Sequence, residues 1–524
     1  MTARACSALL LFATLVLAGC AWTPTVAALR EPGVGAPGLL ACADWYAALD
    51  ARTEQEGVRD AGAARIAGFA HLRMDRFTAS WRDVLGAAAQ QPGADGRRAA
   101  VVQRLLALDL QARSHEIANL PGETRVALAS LGGFGASADA MLEPTRSCGA
   151  RLATYDLTMP AHLARLHQAL VVPDDYVAAY RVLGLYGLSQ LPFASGIRRF
   201  EAERRSVFAR AAAPAPGTTR VHLSAPAKPL AGPLTQQDIA QMLAPAPDDP
   251  LRIPAPTPGQ LEQLFAQFAP AFELDTATPD DQPGALVWRT GPSPGGADSL
   301  EVDSTQPVVY RQTATTRVGA HNLLQLVYTL WFPARTASGG GLDLLAGKLD
   351  GLVWRVTLAP DGTPLVYDTM HPCGCYHMFF PTPAAQPTAA PEYGIEWAFS
   401  PQSLPAVGLG DRVLLRIAAG THYIDQLRVE AAADSSTRYA WRDYDTLRSL
   451  PAGANGQRSV FGPDGFIDGT DRPEAWLFWP MGIQRAGAMR QWGHHATAFV
   501  GRRHFDDADL MERRFVFDPR HFGR

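Results

Sequence analysis

The sequence predicts an α+β multidomain chain: an N-terminal all-α helical bundle followed by a C-terminal, mainly antiparallel β domain. Three observations carry that expectation. Apolar residues recur at three- and four-residue steps from about Leu39 to Ala213. From Pro307 onward the period changes to two. Between these regions, residues 214–258 hold 11 of the chain's 41 prolines and read as a semi-extended linker. The expected organisation is a signal peptide over 1–19, a tether over 20–38, a helical domain over 39–213, the linker over 214–258 and a β-rich domain over 259–524.

In the helical part, Leu40, Trp45 and Leu49, and then Ile66, Phe69, Leu72 and Phe77, are read as recurring at helical steps. Val101, Val102, Leu105, Leu106 and Leu110 repeat it. Pro173-Asp-Asp-Tyr176 reads as a helix start, with proline in the first turn and acids near the positive dipole end. A last helix is expected over Ser189–Arg210, and a short one over Thr235–Leu243 inside the linker.

In the second half a helix is expected over Gln260–Phe268, then strands. Pro307–Thr316 and Asn322–Phe332 alternate, and the second is apolar on both faces, as a central strand is. Leu352–Leu358, the turn Pro360-Asp-Gly362 and Leu365–Asp368 spell an antiparallel hairpin. Further strands are expected over Gly394–Phe399, Arg412–Ile417 and His422–Val429. Eight of 11 tryptophans lie from Trp288 onward, so this half carries the heavier core.

The returning hairpin strand runs straight into the chain's densest reactive stretch, His371-Pro-Cys373-Gly-Cys375-Tyr-His377. The four residues share one parity, so a straight strand would point them to one face. Pro372 and Gly374 are where that strand could bend, closing two thiols and two imidazoles around Zn(II) or Cu(I). Three other readings stay open: a Cys373–Cys375 disulfide, a plain structural loop, and a reactive thiol with His371 or His377 as base. Asp368 stands in position to orient one of the histidines, and His422, His494 or His495 could arrive as a distant ligand or base. The spacing is neither Cys-x-x-Cys nor Cys-x-x-Cys-His.

The first twenty residues carry Arg4, an apolar run from Ala8 to Leu17 and Leu17-Ala-Gly-Cys20. The run is too short to span a bilayer as a mature helix. This segment resembles the signal peptide and lipobox of bacterial lipoproteins. The resemblance implies cleavage before Cys20, acylation of Cys20, and a membrane anchor in the cell envelope. Ala21 in place of Asp implies export to the outer membrane where the cell has one.

Four cysteines then remain, and Cys42–Cys148 is the favoured disulfide because both lie in the helical region. A formal charge of −4 without a long basic run argues against nucleic-acid partners. No P-loop, G-x-S-x-G or Ser-x-x-Lys pattern is present. Two functions remain. One is a lipid-anchored envelope protein that binds an envelope protein or a small ligand, with the Cys/His loop as metal site or disulfide staple. The alternative is a metal-dependent extracytoplasmic enzyme, a hydrolase, using the same loop.

Overall fold

The computed structural model describes residues 37–86, 93–210, 218–225, 234–291, 298–337, 343–391, 394–431, 437–453 and 456–523. The signal segment, Cys20, most of the tether and parts of the proline-rich stretch lie outside the described residues.

Helices Pro37–Gln55, Ala94–Asn119, Gly122–Gly132, Ala138–Thr158 and Pro160–Ala169 form most of the N-terminal part. Ala94–Asn119 is central, and its buried Val101, Val102, Leu105 and Leu106 follow the three- and four-residue spacing. Cys42 and Cys148 are joined in a disulfide that ties the first helix to Ala138–Thr158. This part is not all helix. Strands β1 (Ala64–Ile66) and β2 (Phe69–Met74) form an antiparallel hairpin against the central helix. The signal for it was Ala67-Gly68, a two-residue turn with Gly68 at φ +87°. The hairpin brings in Arg73, fully buried, which pairs with Asp109 at 3.1 Å and Glu116 at 2.7 Å. Those two carboxylates stand two turns apart on one face of the central helix.

Pro173–Tyr176 is an extended loop, and the next helix begins at Ala178. Tertiary partners claim the residues that looked like a helix start. Asp175 pairs with Arg76 and His494, and the Tyr176 hydroxyl donates to the carbonyl of Ala498 at 2.8 Å.

The C-terminal part is built on two sheets. The five-stranded sheet uses β3 (Thr219–Ser224) and β4 (Ala271–Thr276), and the strands β5 (Ala285–Arg289) and β6 (Ser299–Asp303) pair separately. The six-stranded sheet uses β7 (Val308–Val318), β8 (His321–Arg335), β9 (Gly347–Leu358), β10 (Pro364–Met370) and β11 (Met378–Pro381). After β12 (Ala385–Pro387), β13 (Asp411–Ile417), β14 (Ile424–Ala431) and β15 (Thr437–Arg438) return to the first sheet, and β16 (Ala440–Asp443) joins the second. The spatial orders are β14-β13-β4-β3-β15 and β11-β10-β9-β8-β7-β16.

The even-numbered side chains of β8, from Leu324 to Phe332, share one core with Phe272, Leu274, Leu415 and Ile417 of the other sheet. The opposite face of β8 is covered too: Val327 packs with Val353, Met370 and Phe505. That double covering is why β8 reads apolar on both faces. The β9–β10 hairpin forms at the expected turn. Residues 394–399 are not a strand; they run as a loop whose Phe399 carbonyl accepts from the Phe379 amide. A short piece of chain already hydrogen-bonded to an edge strand needs no ladder of its own.

Two ordered pieces come from the proline-rich stretch. β3 pairs with β4, and Thr235 caps the helix Gln236–Leu243, whose Ile239 enters the sandwich core. The helical part docks on the sheets through Arg448, which grips Asp60 at 2.8 and 2.7 Å, and through the helix Tyr186–Phe208. Phe208 ends in the sandwich core with its ring 5.7 Å from Phe380. Among the described residues no helix is long and apolar enough to cross a membrane.

Candidate functional site

Residues 371–377 close the β10–β11 hairpin, so the reactive stretch hangs from the edge of the six-stranded sheet. The loop bends where proline and glycine allow. The Gly374 amide donates to the His371 carbonyl at 2.8 Å, and the His371 amide to the Cys375 carbonyl at 3.0 Å. Gly374 has φ +89°, and a Cβ there would stand 2.6 Å from the Ala496 carbonyl oxygen, so glycine is required on both counts.

The bend separates the four residues. His371 turns to Asp350 on β9, with Nδ1 3.0 Å from the carboxylate. His422 reaches the other oxygen of Asp350 at 2.9 Å, and Arg472 stands 3.5 Å away. Burial works against an Asp350 charge, but His371, Arg472 and His422 outweigh it and hold the carboxyl well below the usual range. His422 is raised, since Asp281 and Asp350 overcome its burial, whereas burial keeps His371 lowered. Leu349, Tyr376 and His422 around this cluster all adopt positive φ. Such backbone costs of order 1–3 kcal/mol per residue and is held by the surroundings.

His377 turns to Asp368 on β10, Nε2 to Oδ2 3.0 Å, while its Nδ1 faces the Thr497 hydroxyl at 3.2 Å. Asp368 also binds Arg355 in bidentate fashion at 2.9 and 2.5 Å. Burial lowers His377 to about 3, so the ring is neutral and donates from Nε2 to the carboxylate.

Cys373 and Cys375 are left facing each other as free, buried thiols. Each one's ionisation is set first by the hydrogen bond to the other, which lowers Cys373 and raises Cys375. His495 touches the same loop from behind, Nε2 3.1 Å from the Pro372 carbonyl oxygen. His494 does not come here; it binds Asp175 and the Ala61 carbonyl in the contact with the helical part. The two thiols are thus brought together, and the two imidazoles are committed to different carboxylates. Among the described residues no group of three or more His, Cys, Asp or Glu could hold a metal ion. The donors therefore do not fit the four-coordinate zinc or copper set of His371, Cys373, Cys375 and His377.

A cavity of about 480 Å³ opens against the loop. Cys373, Cys375 and His377 line it from the sheet side, and Phe193, Ile197 and Phe200 from the helix Tyr186–Phe208. Phe399, Phe478 and Phe499 complete an apolar wall. Glu201, Glu396 and Glu474 also border it. Burial raises all three carboxyls, Glu474 to about 7 against the pull of Arg472 and Arg335. Arg503 is the one arginine or lysine among the described lining residues, and it is already bound to the Thr497 and Trp397 carbonyls and stands 3.7 Å from Glu396.

Sequence reading missed Asp350, Glu474 and the whole helical wall. A lone Asp350 and Arg355 inside the apolar run Leu349–Leu358 was the available signal, since a charge there needs a buried partner. Glu474 yields a pH prediction. Its folded value lies above the unfolded one, about 4.3, so the folded state binds the extra proton and stability falls as pH rises through 7. Glu474→Gln is therefore expected to stabilise by about 2–3 kcal/mol at pH 8 and by nearly nothing at pH 4. Urea midpoints at the two pH values check this; an equal shift at both would mean Glu474 carries no such cost.

Comparison of the chain with protein-family models, with curated proteins and with solved structures found no match.

Proposed function

We propose that this is a lipid-anchored envelope protein that binds an apolar small molecule, with the Cys/His loop as the polar end of the binding cavity. The observation that carries this is the cavity itself: some 480 Å³, walled by aromatic and aliphatic side chains, with a few polar groups gathered at one end. Among the described lining residues the one arginine, Arg503, is engaged, and three carboxyls border the cavity. A neutral or cationic ligand fits that lining, because an anionic one would meet three carboxyls and no unengaged cation among the described lining residues. The envelope location rests on the lipobox at Cys20, with the anchor as the link to the membrane.

The neutral fluorophore N-phenylnaphthylamine is a suitable probe. The purified protein is expected to take it up saturably. Gly196 lies at the cavity on the exposed side of its helix, and a Cβ there meets nothing within 4 Å. Gly196→Phe should therefore fill the entrance without disturbing the fold and weaken uptake by about tenfold or more. No saturable uptake by the parent protein, or equal uptake by the variant, would sink the reading.

A second reading, an enzyme using the same loop, draws on one observation. Cys373 is lowered beside Cys375, and Glu474 titrates near 7 in the same cavity. A thiol nucleophile with a nearby base of that strength is suited to acyl transfer. Turnover of a p-nitrophenyl ester that disappears in Cys373→Ala would favour it over binding alone.

A further inference from the structure

Two uncharged stretches pack side by side on the surface next to the cavity. Residues 182–197 contain no Asp, Glu, Lys or Arg, and neither do residues 475–483. They are firmly joined. The Tyr180 and Trp479 rings meet edge to face at 6.2 Å, and Phe193 and Phe478 at 5.5 Å. Gly184 lies so close to Pro480 that an added Cβ would stand 2.5 Å from its Cβ. Arg181 ties the two from beneath by donating to the Met481 carbonyl at 2.8 Å.

What the pair turns outward is apolar. Trp476 is 80% exposed, Leu183 73% and Leu188 69%, and Leu185, Leu191 and Trp479 lie on the same two stretches. Leu185 is held there at φ +49°, a conformation costly for leucine. Isolated exposed leucines need no explanation, but a contiguous tryptophan–leucine face marks a surface that meets something apolar. The composition points to lipid. Protein interfaces intersperse charged and hydrogen-bonding groups at their rim. A face of leucine and tryptophan suits the boundary between headgroups and acyl chains, where the indole has both an apolar body and a polar N–H.

Two further observations agree. The stretch from Cys20 to Pro37 reaches at most about 60 Å. That is comparable to the diameter of a body of this size, so an acylated Cys20 would keep this face within reach of the bilayer. The face is also continuous with the cavity. Leu191 precedes Pro192 and Phe193, and Leu477 and Trp479 flank Phe478, all three enclosed residues being lining residues. Pro192 and Gly196 are exposed and line the cavity, so it reaches the surface at this edge.

We infer that the face formed by residues 182–191 and 476–479 seats on a lipid bilayer, so that the cavity opens toward the acyl layer and takes its ligand from the membrane. The first half stands on the face alone, and the second rests on the ligand-binding reading above.

The test uses the full acylated protein reconstituted into vesicles of phosphatidylethanolamine and phosphatidylglycerol, with or without brominated acyl chains. Bromine quenches only tryptophans at acyl depth. Trp22, two residues from the acylated Cys20, is first replaced by Phe in parent and variant alike, so that the anchor contributes no signal. Quenching is expected in this parent protein, and the quenched fraction should fall by about fivefold when Trp476→Phe/Trp479→Phe is added, whose apolar surface is kept. Absence of bromine quenching, or equal quenching in the variant, overturns the proposal. So does shielding of these tryptophans from both bromine and aqueous iodide, which would assign the face to a second protein surface. N-phenylnaphthylamine uptake without vesicles separates the two claims. Bromine quenching without uptake keeps the membrane face and removes the cavity ligand.

Discussion

Replacing Cys42 and Cys148 together by alanine is expected to destabilise the N-terminal helices by about 4–5 kcal/mol in the chain-entropy view. The bridge joins residues 106 apart, so its removal frees a long loop in the unfolded chain. Cys42 is fully buried between helices, and the folded state keeps its packing apart from two sulfur atoms. The effect therefore falls on the unfolded ensemble. The urea midpoint should drop, and the m-value should rise because the released loop exposes more surface on unfolding. A loss below about 1 kcal/mol would show that the unfolded chain keeps these helices associated without the bridge.

Asp368→Ala is expected to cost about 3–5 kcal/mol, because it leaves the buried Arg355 guanidinium uncompensated. Asp368 is 0% exposed and Arg355 1%, and water cannot replace the lost carboxylate. Arg355 would retain only the Phe505 carbonyl at 2.6 Å, a long contact to Gln325 and the face of the Phe505 ring. His377 would lose the acceptor of its Nε2 proton. The effect should reach the site, since His377 and the two thiols line one cavity. The double variant Arg355→Met/Asp368→Leu removes both charges and should recover most of the loss. Denaturation of the parent, single and double variants checks the pair. A single variant within about 1 kcal/mol of the parent would mean that the pair contributes little beyond an apolar contact of the same size.

The strands Val308–Val318, His321–Arg335 and Gly347–Leu358 were legible because alternation and the Pro-Asp-Gly turn are local signals. The Cys42–Cys148 pair was legible because only two cysteines fell in the helical region. The β1–β2 hairpin was not, since Ile66, Phe69 and Leu72 fit a helical step as well as a strand. The Pro173 helix start failed because His494 and Arg76, hundreds of residues away in one case, claim Asp175. At the loop, Asp368 lies against His377, and the second carboxylate, Asp350, with the pairing of His422 to it, comes from strands that no local pattern links to the loop.

The sequence by itself determined what short-range chemistry can determine: the periods of the strands, the bend at Gly374, the density of sulfur and imidazole after β10, and the resemblance of the first twenty residues to a lipoprotein signal. Only the tertiary structure decided what those side chains meet. Whether four potential ligands converge depends on which carboxylates arrive from neighbouring strands, and here Asp350 and Asp368 draw the imidazoles apart while the thiols stay together. The apolar wall comes from a helix nearly two hundred residues earlier in the chain. Burial and partner choice are properties of packing between distant segments, and no local pattern carries them.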